Sequence, residues 1–371
     1  MYEQISGNTL YLMFYAGVTV LSLIACCYLL FRRANAIAPY ITSSVRLRRW
    51  TAAFLGAVTL SHLWYTPLLY LTSAEDIKMV YFVGTLLDLL TVFPLAIAVL
   101  FIMLQDRRRP LWPIGVMVAP LAAGIAVCIA TRSDDILQVL YVYYLLSIIG
   151  LIIYMVRATR QYGCWLHDNF ADLEHKEVWQ SFVLLAGILM GFSLYAFELQ
   201  GLFYKYAAQV NTILLTCFLV WRVETLSDLG ICQEQDLPAD LDNPDKEENN
   251  LSQNDLTDII EPLLQKYCID TQLYLQHDLT LPQLAKAIGT NRFYLSQYFS
   301  SKEMNYNTYI NDLRINHFVS LYREAVATHH SFTIQEMAND SGYRSYSTFN
   351  LAFKQRMGQT VNAWAKLQNM Q

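Results

Sequence analysis

The first 225 residues of this 371-residue sequence contain very little charge. Over the whole chain, charged residues make up 15% and hydrophobic residues 54%, whereas an average soluble chain has about 25% and 45–50%. Such a composition excludes an ordinary soluble globular protein. The formal net charge of −5 also excludes a protein that coats nucleic acid through general basic charge, so any contact with DNA must be local.

The sequence also lacks the motifs of common enzymes and metal sites. It has no nucleophile elbow, no phosphate-binding loop, no paired catalytic carboxylates and no zinc-ligand spacing. The nearest approach to a metal cluster is His167, Asp168, Glu174 and His175. Their spacing suits no common ligand geometry, so we interpret them as part of a solvated loop. We therefore expect no enzymatic activity, no metal and no cofactor.

The seven cysteines do not form a framework of disulfides or metal ligands. No two of them make a C-x-x-C pair. Four lie inside apolar runs, namely Cys26, Cys27, Cys128 and Cys217. We expect all of them to behave as small hydrophobic residues.

What the first part of the chain does have is seven long apolar stretches. A helix needs about 20 residues to cross a hydrocarbon core of about 30 Å, and each stretch is long enough. The stretches are Thr9–Phe31, Trp50–Leu71, Met79–Leu104, Leu111–Ala130, Ile136–Val156, Val178–Glu198 and Phe203–Trp221. They predict a bundle of seven membrane-spanning helices in contact with lipid.

Positive charges between the stretches predict the orientation of the bundle. Basic residues concentrate in the first, third and fifth loops: Arg32, Arg33, Arg46, Arg48, Arg49, Arg107, Arg108, Arg109, Arg157, Arg160 and Lys176. These loops are therefore expected in the cytoplasm, with the N-terminus outside and the C-terminus inside. A cleaved signal peptide is the alternative for the first stretch, but residues 1–8 contain no Lys or Arg, which favours a retained span.

A few polar residues fall in the outer half of the predicted spans, where ionisable groups are costly. They are His62, Asp88, Glu198, Lys205 and Asn211. One interpretation is a polar pocket that opens to the outside and binds an unknown small-molecule or envelope signal. The other is that these residues only join the helices to one another.

Residues 234–250 are acidic, contain two prolines and have almost no large apolar side chains. This composition predicts a flexible tether. Ahead of it, residues 221–231 leave two alternatives open. A rigid continuation of the seventh helix would transmit rotation, whereas a flexible segment would only set proximity.

After the tether the sequence has a helix-turn-helix pattern twice. In the first copy Thr280 can cap a helix, Gly289 suits the tight turn and Asn291 can cap the second helix. The second copy begins at Thr333 and turns at Gly342. One long helix over 306–325 connects them, so two recognition helices could enter successive major grooves about 34 Å apart.

Periodicity also predicts which side chains of this region are buried. A preceding helix over 258–275 is expected to turn Ile259, Leu263 and Tyr267 inward. In the first recognition helix the expected inward residues are Phe293, Leu295 and Phe299. The residues left facing outward in the two recognition helices are Arg292, Tyr294, Ser296, Gln297, Ser300, Tyr346, Ser347, Asn350 and Lys354.

Residues 257–370 resemble the DNA-binding domain of AraC-type transcription regulators. The resemblance is carried by LTLPQLAKAIGTNRFYLSQYF (279–299), by YINDLRI (309–315) and by TIQEMANDSGYRSYSTFNLAFKQRMGQT (333–360). It implies that two helix-turn-helix units on a connecting helix bind DNA. It implies base or phosphate contacts by Arg292, Ser296, Gln297, Tyr346, Ser347 and Asn350, with Lys354 near the DNA backbone. Tyr294, which faces outward in the helical pattern, and Arg344, which lies beside the second recognition helix, complete the predicted DNA-binding residues. Leu351 stands where an arginine is common in that family.

Together these observations predict an all-α protein with three parts. Residues 1–226 form the seven-span domain, 227–256 the acidic linker and 257–371 the DNA-binding domain. Within the last part we expect helix-turn-helix units at about 280–300 and 333–356, joined by a connector at about 305–326.

The predicted function is that of a regulator in the bacterial inner membrane that couples a signal to promoter binding. Its expected partners are promoter DNA, membrane lipid, RNA polymerase and a second copy of the chain. A dimer is expected because ten basic and nine acidic residues from 256 onward leave a single copy with little non-specific affinity. The alternative is a membrane transporter or receptor whose helix-turn-helix region binds a protein.

Overall fold

The computed structural model describes residues 9–183, 187, 202–229, 253–328 and 332–368. Every regular element in these ranges is a helix, and the extended segments pair only at two isolated bridges, Ser43–Ser227 and Phe170–Thr280. The chain divides into two compact units. The first contains residues 1–162 and 178–230, and the second contains 163–177 and 231–371. The short segment 163–177 thus belongs with the C-terminal residues.

The first unit is built from long apolar helices. In chain order they are α1 (Thr9–Phe31), α2 (Val45–Tyr65) with a 3-10 turn (Thr66–Leu69), α3 (Ala74–Leu90), α4 (Val92–Met103), α5 (Trp112–Thr131), α6 (Leu137–Asn169) and α7 (Leu202–Thr225). Among the described residues, six runs are long and apolar enough to cross a membrane, with α3 and α4 counted as one run. Most of the predicted sixth stretch, Val178–Glu198, lies outside the described residues.

The predicted third stretch forms two helices rather than one. Pro94 has no N–H for the carbonyl of Leu90, and its ring clashes with that carbonyl in a continuous helix. Accordingly α3 ends at Leu90 and α4 begins at Val92. At the break the carbonyl of Leu87 accepts from both the backbone N–H and the hydroxyl of Thr91, at 3.0 and 2.6 Å.

The last helix of this unit ends in a network of buried hydrogen bonds. The carboxylate of Glu224 is fully buried and accepts from the backbone N–H of Ala36 at 3.0 Å and of Ile37 at 2.7 Å. Beyond it, Gln105 accepts from the N–H of Leu229 and donates to the carbonyl of Ser227. Since α7 ends at Thr225, the alternative of a rigid continuation over 221–231 is wrong for the described residues.

In the described part of the second unit there are seven further helices. They are α8 (Gln253–Leu264) with a π turn (Gln265–Ile269) and a 3-10 turn (Leu273–Leu275), α9 (Leu281–Ala287), α10 (Arg292–Ser301), α11 (Tyr306–Ala327), α12 (Ile334–Asp340), α13 (Tyr346–Met357) and α14 (Val361–Gln368). Residues 163–169, the end of α6, also belong to this unit. Most of the predicted linker 227–256 lies outside the described residues.

Two hydrophobic cores share α11 as a common wall. The first core contains Ile310 from α11 with Leu284 of α9 and Leu295 of α10. The second contains Phe318 from α11 with further side chains that include Phe349 of α13. Burying one side chain of this size stabilises a fold by about 1.5–3 kcal/mol. A single helix therefore supports both helix-turn-helix units.

Two expectations about buried faces are wrong in part. In α8 and the turn after it the fully buried residues are Ile260, Leu264 and Cys268, one position later than predicted. Ile259 and Tyr267 are exposed, whereas Leu263 packs against the first core as predicted. In α10 the buried face is Leu295, Tyr298 and Phe299. Phe293 is two residues, or about 200°, from Leu295 on a helix of 3.6 residues per turn, and it is 69% exposed.

Candidate nucleic-acid interface

Side-chain caps fix the start of each helix in the two helix-turn-helix units. Thr280 accepts from the N–H of Gln283 while Gln283 bonds back, and Thr333 and Glu336 form the same reciprocal box. The second helix of each unit is capped by Asn291 in one case and by Ser345 in the other. Each such cap stabilises its helix by about 1 kcal/mol. The caps confirm the helix starts that the sequence predicts.

Glycine is required at both interhelical turns. Gly289 has φ +75° and Gly342 has φ +87°, which is the left-handed region that residues with a Cβ rarely adopt. A Cβ on Gly342 would also lie 2.8 Å from the carbonyl oxygen of Leu275. Gly342 therefore permits a close approach of two backbones as well as a turn.

The free face of α10 is polar with one aromatic exception. Arg292, Gln297 and Ser300 are exposed, and Ser296 is half-buried beside them. Each of these four residues is at most four positions from the next along α10, so they share one face over about two turns that a major groove could meet. Tyr294, also predicted to face outward, instead packs against the first core. Phe293 adds an exposed ring that the sequence analysis placed inside.

The free face of α13 has the same plan. Ser347 and Lys354 are exposed, while Asn350 and Tyr346 are half-buried. Tyr346 packs against the second core with its ring 6.0 Å from that of Phe349. The Asn350 Oδ1 atom is buried without a hydrogen-bond partner among the described residues. Leu351 is 60% exposed at the centre of this face.

Arg344, just before α13, is held by an ion pair. Its guanidinium lies 3.0 Å from Oδ2 of Asp278, whose other oxygen lies 3.1 Å from the Lys176 ammonium. Burial alone would raise the pKa of Asp278. The positive charges of Lys176, and then of Arg344 and His277, have a larger opposite effect, so the pKa lies below its usual value. Asp278 is thus a carboxylate shared by two cations, and its charge is maintained.

Arg314 joins the two helix-turn-helix units. It is 1% exposed, and it donates from Nε to the carbonyl of Tyr274 and from a terminal nitrogen to that of Gln276, both at 2.7 Å. Its guanidinium also lies over the ring of Tyr343, 5.5 Å from the centroid. Burial lowers its pKa, an effect that Tyr343 and Tyr306 oppose. These contacts hold the turn before the first unit against the turn of the second.

The sequence analysis missed Arg314, Asp278 and Phe293 as residues of this region. Arg314 lies in the YINDLRI segment, but a single arginine in a connector helix carries no signal that it will be buried. A signal for Phe293 was present, because it does not share a helical face with Leu295 and Tyr298. Asp278 could not be identified, since its partner Lys176 is 102 residues away.

In the first unit the structure brings together part of the predicted signal site. The Tyr65 hydroxyl donates to Oδ2 of Asp88 at 3.0 Å, and the side chains of Ser61 and Trp64 also act on the Asp88 carboxylate. The His62 side chain is buried, with Nε2 3.1 Å from Oε1 of Gln209. These side chains therefore form a polar cluster between apolar helices.

The other predicted members of the signal site have different outcomes. Lys205 and Asn211 lie on α7 and are half-buried with partners of their own. Glu198 lies outside the described residues. Gly84 was not predicted, but it makes room for the cluster, because a Cβ there would lie 2.3 Å from the ring of Tyr65.

The interpretation of residues 167–175 as a solvated loop is wrong. Phe170, Ala171 and Asp172 are buried, and Ala171 belongs to the first core of the second unit. Among the described residues, no group of three or more His, Cys, Asp or Glu could hold a metal.

Three cysteines of the described residues are buried, namely Cys26, Cys128 and Cys268. Burial raises the pKa of the Cys268 thiol to about 12.

Comparison with protein families gives one match. Residues 284–367 match a family model described as a helix-turn-helix domain, which is of the AraC type. The match begins in α9 and ends in α14, and it therefore includes both recognition helices. It supports a DNA-binding transcription regulator. A comparison with curated proteins and one with solved structures find no match for the chain.

Proposed function

We propose that this protein is a sequence-specific DNA-binding transcription regulator held in the bacterial inner membrane, which adjusts promoter binding to a signal received by its apolar helices. The observation that carries the DNA-binding part is the pair of capped recognition helices on α11, each with a polar free face. Because Arg314 fixes the two units to each other, they would be presented to DNA as one rigid reader.

Specific binding would use the exposed polar residues of each recognition helix. Arg292 can bind a guanine edge with two hydrogen bonds or a phosphate, and Gln297 suits adenine. Ser347, Asn350 and Lys354 are the corresponding residues of α13. Phe293 and Leu351 would contact thymine methyl groups, the apolar element of the major groove. Arg344 would bind phosphate once it is released from Asp278.

Affinity is proposed to depend on a second copy of the chain. The residues from 256 onward carry ten basic and nine acidic side chains, whereas clustered positive charge supplies most non-specific affinity for DNA. Two copies in one membrane would raise the effective concentration of the second reader. Promoter DNA, RNA polymerase and lipid are the partners that this function requires.

The signal is proposed to bind at the cluster of Tyr65, Asp88 and His62. Support comes from the polar cluster itself, because ionisable side chains such as Asp88 and His62 are costly inside apolar helices. A small polar ligand would exchange hydrogen bonds with these side chains. Lys205, Asn211 and Glu198 remain proposed members of the same site.

The DNA-binding proposal is tested by measuring the affinity of the full chain in lipid nanodiscs for a duplex that it selects from a random library. Arg292→Ala and Gln297→Ala should each weaken binding by about 1–3 kcal/mol, which is roughly 5- to 150-fold. Arg323→Ala is the control, because this arginine is exposed on α11 outside both recognition helices. Equal affinity of all three variants at moderate salt would contradict the proposal.

The alternative, a transporter or receptor whose C-terminal domain binds a protein, is favoured by one observation. Each recognition helix exposes one large apolar side chain, Phe293 at 69% and Leu351 at 60%, and such side chains can serve as contacts for a protein partner. The same binding measurement distinguishes the two functions. A protein-binding domain would select no duplex, whereas a DNA reader would.

A further inference from the structure

The segment 163–177, which joins the fifth apolar stretch to the sixth, is packed into the DNA-binding unit. The N–H of Ala171 donates to the carbonyl of Leu279 at 3.1 Å, and Phe170 makes a bridge with Thr280. The Asn307 amide of α11 donates to the carbonyls of Phe170 and Ala171, at 3.1 and 2.8 Å. Backbone groups of the segment are therefore satisfied by the helix-turn-helix domain.

Buried side chains reinforce this contact. Phe170 is 4% and Ala171 is 2% exposed. The ammonium of Lys176, itself 7% exposed, donates to the carbonyl of Asp172 at 2.8 Å and to Asp278 at 3.1 Å. A buried ammonium is tolerated only when it is paired, so undocking would require Lys176 and Asp278 to be rehydrated. The contact is specific rather than incidental.

The segment also places one carboxylate against the first turn of α13 and a second within electrostatic reach of Arg292 in α10. Oε2 of Glu174 accepts from the Thr348 hydroxyl at 3.0 Å, and Thr348 is the third residue of α13. Asp168 lies close enough to Arg292, the first residue of α10, for the guanidinium to act on its carboxylate electrostatically. The N-terminus of a helix is where a DNA phosphate is favoured. A phosphate there would be repelled by these carboxylates.

The docked segment is continuous with an apolar helix. Residues 163–169 are the last turns of α6, which runs without a break from Leu137 to Asn169. By contrast, α7 ends at Thr225 in the Glu224 network. The clasp residues therefore follow directly along the chain from α6.

We propose that residues 163–177 are an inhibitory clasp that holds the DNA-binding domain and covers the phosphate positions of both recognition helices. DNA and the clasp would compete, and a movement of α6 would release the domain. This proposal rests on the proposed DNA-binding function and adds a way in which that function is regulated. The surface of the DNA-binding domain that the clasp covers is thus occupied by a segment of the same chain.

The test compares the full chain in nanodiscs with the variant Asp168→Asn/Glu174→Gln, using the duplex selected by the wild-type chain. Removing the two carboxylates should raise DNA affinity about tenfold, within the usual range of coupling between sites. The control is Asp270→Asn/Glu324→Gln, which changes the charge equally. Asp270 is bonded locally to Gln265, and Glu324 is exposed near the end of α11.

Hydrogen exchange at the Ala171 amide gives a second measurement that does not depend on charge. This amide should be protected in the free chain and should exchange faster when the duplex is bound. Asn307→Leu removes two hydrogen bonds to the clasp, and it should speed the same exchange and tighten DNA binding.

Two results would overturn the clasp while leaving the proposed function intact. One is that Asp168→Asn/Glu174→Gln binds DNA no more tightly than the charge-matched control. The other is that exchange at Ala171 is unchanged at saturating DNA. A wild-type chain that selects no duplex would instead remove the proposed function, and the clasp with it.

Discussion

At the scale of single residues, the DNA-binding unit depends on a few buried polar groups that join distant segments. Arg314 contacts carbonyls 38 and 40 residues away, and Asn307 contacts carbonyls more than 130 residues away. The sequence predicts caps such as Thr280 and Asn291, because their partners lie three residues along. It does not predict Arg314 or Asn307, since nothing local shows which carbonyls they will meet.

Replacing Arg314 should loosen one helix-turn-helix unit from the other. Arg314→Met removes two hydrogen bonds from a charged donor and leaves the two carbonyls without this donor. This should lower the free energy of unfolding by about 3 kcal/mol. Hydrogen exchange of the full chain should show faster opening of residues 334–357. Arg323→Met, an exposed arginine on the same helix, is the control. Equal exchange in the two variants would show that Arg314 does not join the units.

At the scale of elements, local rules predict where helices begin and end but not always which face is buried. The turns at Gly289 and Gly342 follow from backbone stereochemistry, whereas the break at Pro94, which has the same kind of cause, was not predicted. The buried face of α8 is one residue from the predicted one, because Ile259 and Ile260 are equally apolar and only the neighbouring helices decide between them. In the first unit, the packing of α2 against α3 likewise depends on a single residue, Gly84.

Gly84→Ala should destabilise the contact between α2 and α3. The added methyl would lie 2.3 Å from the Tyr65 ring, so Tyr65 would have to leave Asp88, and overpacking of this kind costs about 1–3 kcal/mol. Thermal unfolding in detergent measures the loss. The matched control is Gly17→Ala, where a Cβ meets nothing within 4 Å and helix propensity favours alanine. If both variants unfold at one temperature, Gly84 is not a packing site.

At the scale of the whole molecule, composition separates an apolar part from a DNA-binding part, and the helix-turn-helix repeat identifies the second. The sequence does not show that residues 163–177 belong with the second part, because their charged composition is typical of any cytoplasmic loop. Only the contacts of Phe170, Ala171 and Lys176 reveal it. Regulation is therefore proposed to pass through this segment rather than through the acidic residues 234–250.

A chain resident in the membrane should bind specific DNA sequences in the cell. The most direct measurement is to crosslink DNA to the full chain in cells, isolate the membranes and sequence the fragments that remain bound. We expect a small set of enriched fragments with a shared motif, which Arg292→Ala/Gln297→Ala should abolish while Arg323→Ala retains it. Fragments spread evenly over the chromosome, or the same enrichment in all variants, would show that the chain does not bind specific sequences through these residues.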